Sequence, residues 1–343
     1  MTTPRVSAVM VAWNAGRAIA TCIEALRESA RAADEPIQVV VVDNASSDGA
    51  ADAIDPAPGD VVVRNPLNAG YGVAAAQGLA RATAPWVLLV NPDVVVEPGF
   101  VGALLRAADR ADPIVATLVP DLRFAARPDI VNCRGLTVDE MGLPAEIDAG
   151  RPSSGRPSPT VPVVGGSSGC CLLRLEHVVE VGGPEPAFFA YLEDVDLALR
   201  LARAGYTAVF VPDAIALHEG SASTGARSPL KVFLVARSRR VLFRLHGPRS
   251  LRARAWRTLV EVAHASYSSL GTPLAPWSGR FHAFALHPYT SFLRRARAVH
   301  DRAVATPELA PRFRLRDTLS RKRAVIRSVE SESAATYGTG PPE

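Results

Sequence analysis

Residues 37–49 read IQVVVVDNASSDG, and this stretch decides the fold. It is a near-continuous β-branched run of strand length that stops at Asp43. A run without polar alternation is buried on both faces, as in a parallel strand with helices packed on each side. The residues after it, Asn44, Ser46, Ser47 and Asp48, are polar and turn-forming. A buried strand that ends abruptly in a polar loop is the unit from which open α/β sheets are built.

Working outward, VSAVMVAW (6–13) is a second short apolar run, ending at Asn-Ala-Gly. Between the two runs, Ile19, Cys22, Ile23 and Leu26 recur at helical spacing across residues 18–32. Downstream, DVVVRNP (60–66) reads as a strand, and NAGYGVAAAQGLARA (68–82) as a glycine-bearing turn into an Ala-rich helix. PWVLLVNPDVVV (85–96) reads as a strand ending in a polar turn at residues 91–93, with a helix starting in EPGFVGALLRAAD. This alternation predicts an α/β fold with a mostly parallel sheet, and its polar clusters fall at strand carboxyl ends, where ligands of such sheets bind. Residues 121–160 read as irregular, with GRPSSGRPSPTVP (150–162) a mobile loop. From about Ser228 the pattern becomes Arg-rich and helical, with Val232, Val235, Val241, Leu242 and Leu245 near one face. The expected organisation is a first domain over 1–227, a basic helical extension over 228–330 and a disordered tail over 331–343.

Charge divides along the same boundary. Residues 221–343 carry 22 Lys/Arg against 7 Asp/Glu, a net of +15, whereas residues 1–220 carry 16 against 27, a net of −11. A basic back half suits an anionic membrane surface or an anionic partner. Nucleic acid is the weaker reading, because no nucleic-acid motif is present and few aromatics interleave the arginines. The four cysteines form no CxxC pair, and adjacent Cys170 and Cys171 would strain to bridge, so a reducing, cytoplasmic setting is expected. The N-terminal residues lack a basic segment followed by a long apolar one, so no signal peptide is expected, and no run approaches the ~18–20 apolar residues of a membrane span.

Four polar constellations carry the chemistry. Asp43 and Asn44, at a strand end, can accept hydrogen bonds from a nucleobase or a ribose; the plain reading is a turn in which Ser47 or Asp48 caps a helix. Asp93, in Asn-Pro-Asp at 91–93, can hold a divalent cation through a hard oxygen, or simply cap a bend. In FFAYLEDVDLALRLARAGY (188–206), Glu193, Asp194 and Asp196 crowd one helix start. The helix dipole favours acids there by ~0.3–1 kcal/mol each, but neighbouring carboxylates repel, which brings a general base into contention. His218, at the end of a strand-like run, is either structural or a metal ligand.

Six segments carry these features in order: VVDNASSDG, NPLNAGYGVAAAQGL, LLVNPDVVV, GGSSGCCLLRLEHVVEVGG, FFAYLEDVDLALRLARAGY and LHEGSAS. Together, over roughly residues 5–245, they resemble the inverting family-2 glycosyltransferases of the GT-A fold, most closely the bacterial rhamnosyltransferase branch. The resemblance implies a mixed, mostly parallel sheet flanked by helices, with a basic C-terminal helical extension. It implies donor contacts at Asp43, Asn44, Asn68, Gly70, Gly72, Asn91, Asp93, Gly169 and Cys170. Asp194 would be the catalytic base, with Glu193 and Asp196 beside it, and Asp93 with His218 would hold Mg²⁺ or Mn²⁺. The implied reaction moves a sugar, L-rhamnose from dTDP-rhamnose, onto a lipid-linked or other cell-envelope glycan. UDP-hexose or UDP-galactofuranose donors, natural-product acceptors and a non-catalytic sugar-nucleotide-binding subunit are the alternatives. The resemblance further implies a cytoplasmic protein, peripheral on the inner face of the plasma membrane through its basic extension, or a homodimer through residues 231–257. Two departures stand out. Asn91 replaces the first Asp of the metal motif, and Pro184-Glu185-Pro186 replaces Phe-Asp-Glu.

Overall fold

The run beginning at Ile37 is strand β2 (Ile37–Asp43), six of whose seven residues are buried. It lies between β1 (Val6–Ala12) and β3 (Val61–Arg64), parallel to both. The computed structural model describes residues 3–139, 142–155, 163–219, 229–247 and 250–259. Among these, the sheet runs β3-β2-β1-β4-β10-β6-β11-β5, with β7 paired to β6. The further strands are β4 (Trp86–Val90), β5 (Val94–Val96), β6 (Val115–Phe124), β7 (Arg127–Cys133), β10 (Cys170–Arg174) and β11 (Thr207–His218), and a separate small pair is β8 (Leu136–Val138) with β9 (Pro144–Glu146). β3, β2, β1, β4, β6 and β11 point the same way, while β5, β7 and β10 are reversed. This is the mixed, mostly parallel sheet flanked by helices that the sequence predicts.

Alternation along β1 distributes the core to two layers. Ala8, Met10 and Ala12 pack with α1 (Ala18–Ala32) and α3 (Phe100–Arg110). Val9 packs on the other face with Leu79 of α2 (Tyr71–Leu79), Val178 of α4 (Leu175–Glu180) and Leu197 and Leu201 of α5 (Glu193–Arg203). Each such side chain taken fully out of water contributes about 1.5–3 kcal/mol, so both faces of the sheet are strongly committed.

Three features differ from the expectation. The segment 121–160 is ordered over most of its length: β6 continues to Phe124, β7 returns antiparallel, and β8 and β9 follow. The run at 85–96 is two strands, with the Asn91–Pro92–Asp93 turn carrying the chain from the middle of the sheet to its edge, where β5 pairs with β11. The N-cap position of the helical turn at residues 50–53 is Gly49 rather than Ser47 or Asp48. Ser47 donates to Asn14, and the Asp48 carboxylate accepts from the Gly16 N–H, so the β2 loop is tied to the β1 loop. The four cysteines are free and buried.

The first part of the basic extension is helix α6 (Pro229–His246), which packs on α5 with Leu234, Val241 and Leu242 buried. A second helical segment covers residues 251–259. The expected helical stretch beyond 259 and the tail at 331–343 lie outside the described residues, as do 156–162 of the Pro/Ser/Gly loop. No helix among the described residues is long and apolar enough to cross a membrane.

Candidate active site

Two strand registers assemble the site. His218 pairs with Val94 at the β11–β5 edge, which places it beside Asp93. Cys170 pairs with Val90 between β10 and β4, which places Gly169 beside Asn91. The Asn91 N–H donates to the Gly169 carbonyl at 2.9 Å, and the Glu219 N–H to the Asp93 carbonyl at 3.1 Å. A Cβ added at Gly169 would lie 3.8 Å from both the Asn91 amide nitrogen and the His218 ring, so a bare glycine backbone lines this corner.

Asp93 and His218 fit a divalent cation. His218 Nε2 lies 3.4 Å from Asp93 Oδ1, yet it is buried and makes no hydrogen bond. On the other side of the ring, Nδ1 lies 3.3 Å from Asn132 Oδ1. Nδ1 thus faces Asn132 and Nε2 faces the Asp93 carboxylate. A half-buried carboxylate oxygen and a ring nitrogen without a hydrogen bond, held 3.4 Å apart, offer two donor atoms to a cation. The described residues contain no group of three His, Cys, Asp or Glu ligands. A two-ligand set leaves coordination positions for phosphate oxygens and water, which suits Mg²⁺ or Mn²⁺.

Asn132, on β7, was not singled out from the sequence, because the strand that carries it was read as irregular. It is 6% exposed, and its side-chain oxygen faces the ring's Nδ1. Partners that hold a metal-ligating histidine from behind are worth about 10–100-fold in metal affinity. Asn132→Ala is expected to weaken Mn²⁺ binding by about that factor, and Asn132→Asp, which keeps an acceptor oxygen, to restore most of it; calorimetric Mn²⁺ titration measures both.

The three acids at the start of α5 divide their roles. Asp194 Oδ2 accepts from the Ser168 N–H at 3.1 Å and Oδ1 from the Val195 N–H at 2.8 Å, with the Ser167 hydroxyl also bonding the carboxylate. Burial, aided by the charge of Glu146, raises Asp194 above the ordinary carboxylate value despite those donors. Burial and then the charge of Asp194 push Glu193 up to about 8. Both carboxyls therefore hold their protons to higher pH than exposed ones do. Glu193 Oε2 is buried and makes no hydrogen bond. Asp196 is placed otherwise. Against the penalty of burial, Arg200 at 2.7 Å and His246 Nε2 at 2.7 Å hold it below its ordinary value, and it is 1% exposed. Its oxygens are spent on anchoring α5 to α6.

Asp194 and the Asp93–His218 pair are joined by one short segment. Ser168 grips Asp194, and the next residue, Gly169, accepts from Asn91. Tyr71, half-buried at the start of α2, donates its hydroxyl to the Ser168 carbonyl at 3.2 Å.

The remaining donor-side residues form a second cluster. Asp43 is buried, accepts from the Ser46 N–H at 3.0 Å and has Arg64 at 3.9 Å. Asn44 is buried and fully engaged, donating to Asn68 and accepting from Asn65 and the Ala69 N–H. Asn68 in turn accepts from the Gly70 N–H. A Cβ on Gly70 would fall 2.6–2.9 Å from Phe189 atoms, and one on Gly72 2.9 Å from the Glu185 carbonyl. These glycines let α2 press against the loop that leads into α5. The Tyr71 N–H donates to the Phe189 carbonyl there. That loop is strained: Phe189, Tyr191 and Leu192 have φ of 61°, 67° and 67°. Left-handed backbone at a non-glycine residue costs about 1–2 kcal/mol, and it persists only where surroundings over-determine it.

Residues 7–178 match the family described as glycosyl transferase family 2, and residues 141–296 match glycosyl transferase family group 2. N-acetylglucosaminyl-diphospho-decaprenol L-rhamnosyltransferase of Mycobacterium tuberculosis is 34% identical over 216 residues, covering 57% of this chain and 70% of that protein. Undecaprenyl-phosphate 4-deoxy-4-formamido-L-arabinose transferase of Serratia proteamaculans is 25% identical over 119 residues, 33% of this chain and 36% of that protein. A solved mannosyltransferase from Pyrobaculum calidifontis, in complex with GDP-Man and Mn²⁺, aligns over 99% of this chain and 89% of its own at 16% identity and a TM-score of 0.49. At that similarity it does not inform the site.

Proposed function

The chain belongs to glycosyl transferase family 2, on its rhamnosyltransferase-like side, and from that premise we propose that it moves L-rhamnose from dTDP-rhamnose onto a hydroxyl of a lipid-linked glycan by a single inverting displacement. That it is a glycosyltransferase follows from the family. The transferred sugar and the acceptor class rest on the name of the mycobacterial relative, N-acetylglucosaminyl-diphospho-decaprenol L-rhamnosyltransferase, and the dTDP carrier on the sequence resemblance. The observation that carries the mechanism is the Ser168–Gly169 bridge between a half-buried Asp194 and the Asp93–His218 pair.

Asp93 and His218 would hold Mg²⁺ or Mn²⁺, which neutralises the diphosphate leaving group. Asp43, with the loop shaped by Asn44, Asn68, Gly70 and Gly72, would seat the nucleotide. Gly169 and Cys170, with Asn91, would leave room for the donor sugar. Asp194 takes the proton of the acceptor hydroxyl as that oxygen bonds to C1 of the sugar. The C1–phosphate oxygen bond breaks, and nucleoside diphosphate leaves with the electron pair. Glu193, protonated, spares Asp194 a neighbouring charge. Asp196 positions α5 rather than touching substrate.

The setting in this reading is the cytoplasmic face of a membrane. Leu251 is 80% exposed, and Trp256 and Leu259 are also exposed beside Arg252 and Arg254. Such a face suits an anionic lipid surface.

The test is a panel of nucleotide sugars with Mg²⁺ or Mn²⁺, read by thermal shift and by release of nucleoside diphosphate. Stabilisation and slow hydrolysis with dTDP-rhamnose alone are expected. A response to a UDP-sugar instead overturns the rhamnose assignment, and a response to no donor overturns catalysis.

A further inference from the structure

The strained turn ahead of Asp194 is held from a direction that the sequence assigns to a different domain. Ser238, in the middle of α6 and fully buried, places its hydroxyl 3.1 Å from the Phe188 carbonyl and 3.0 Å from the Ala190 carbonyl. One hydroxyl proton is shared between two acceptors. Beside it, Arg237 Nη1 donates to the Phe188 carbonyl at 2.9 Å. These bonds take up carbonyls of the very residues that flank Phe189, the first of the left-handed positions. From the opposite side the Tyr71 N–H takes the Phe189 carbonyl. Three successive carbonyls, 188 to 190, are thus tied to two helices, and the base follows four residues later.

The same helix grips α5 again beyond the base. His246, at the end of α6, donates from Nε2 to Asp196, and its Nδ1 faces Arg203. Arg203 only donates, so the ring is neutral, in keeping with burial lowering the His246 pKa. Asp194 therefore sits between two attachments to α6, one at 188–190 and one at Asp196. A Ser in a helix interior has no propensity reason to be there, since its hydroxyl competes with the backbone. Here that hydroxyl is used outside its own helix.

We propose that α6 is part of the catalytic apparatus, and that Ser238 and Arg237 are positioning residues which hold the 188–192 turn so that Asp194 meets the acceptor hydroxyl. The inference rests on Asp194 being the base of the proposed transfer.

Ser238→Ala in the full-length chain is the test, beside Asp194→Asn, a rescue variant Ser238→Thr, and Val241→Ala as a stability control on the same helix. Ser238→Ala is expected to lower kcat by about 10–100-fold, since small misplacements of a reacting group cost rate on that order, with KM for the donor nearly unchanged. Ser238→Thr, which keeps the hydroxyl, recovers much of the loss. Hydrogen exchange over residues 188–196 is expected to speed up in Ser238→Ala and needs no donor. Val241→Ala loses stability and keeps kcat when assayed well below its melting point. Unchanged kcat and unchanged exchange in Ser238→Ala overturn the proposal. So does an equal fall of kcat in Val241→Ala, which would make α6 a packing element only. If Asp194→Asn itself retains turnover, the base assignment fails, and that result is separate from the behaviour of Ser238.

Discussion

Replacing Asp194 with asparagine is expected to lower kcat by ~10²–10⁴-fold, the usual contribution of a positioned general base. Asparagine keeps the size of the side chain and an acceptor oxygen for the Ser168 N–H. It loses the charge that draws the acceptor proton. Nucleotide binding, read by thermal shift, should survive, because the donor-side cluster at Asp43 and Asn68 does not touch residue 194. Wild-type turnover should climb with pH through the raised pKa of Asp194, since the base works only when ionised. The variant should also alter stability as a function of pH. In the folded chain Glu193 keeps its proton up to about 8, whereas in the unfolded chain it ionises near 4.5. Its contribution is therefore fully present below about 4.5 and is lost as pH rises through about 8. Burial is the first cause of that shift and the charge of Asp194 the second. Removing the charge should make the fall of the melting temperature between pH 5 and pH 8 shallower. A variant with undiminished turnover would assign the base elsewhere.

Asp93→Ala is expected to abolish metal-dependent transfer, a loss of about 10³-fold if the cation supplies several kcal/mol to the departing diphosphate. The expectation is strong because the cation would have so few protein ligands. Asn91 stands where a second carboxylate could have been, and His218 alone offers one nitrogen. Manganese titration should become flat, while the unliganded variant melts near the wild-type temperature. Chelation of the wild type should reproduce the loss, and added Mn²⁺ should reverse it in the wild type only. Retained Mn²⁺ affinity in Asp93→Ala would overturn the Asp93–His218 assignment.

Much of the front sheet is legible because β1, β2 and β4 are nearly continuous apolar runs and α1 has clean helical spacing. The middle of the chain is not. β6 carries Pro120 at its centre, and a proline ordinarily argues against a central strand. β8 and β9 are three residues each, too short for any period to show. Missing β7 hid Asn132, and with it the contact that faces His218 Nδ1 opposite Asp93. The acids at 193, 194 and 196 look alike in sequence, yet one signal separates them. Arg200 follows Asp196 by one helical turn, marking it as an ion-pair residue. Ser238 sits among arginines with no pattern of its own, and only the approach of α6 to the turn at 188–190 gives it a role.

The edge pairing of β5 with β11 has a consequence for the order in which the protein folds. Three residues, Val94 to Val96, must find partners at 216–218, about 120 positions along the chain. Closing a loop of that length costs about 4 kcal/mol of chain entropy, and three pairs of short-strand residues return little against it. Local pairs such as β1–β2 and β6–β7 close much shorter loops and should form earlier. Asp93 and His218 therefore become neighbours late, when the last edge of the sheet zips. A nascent or damaged chain would present neither half of a cation site, and ligand captured by the finished edge would in turn slow its opening.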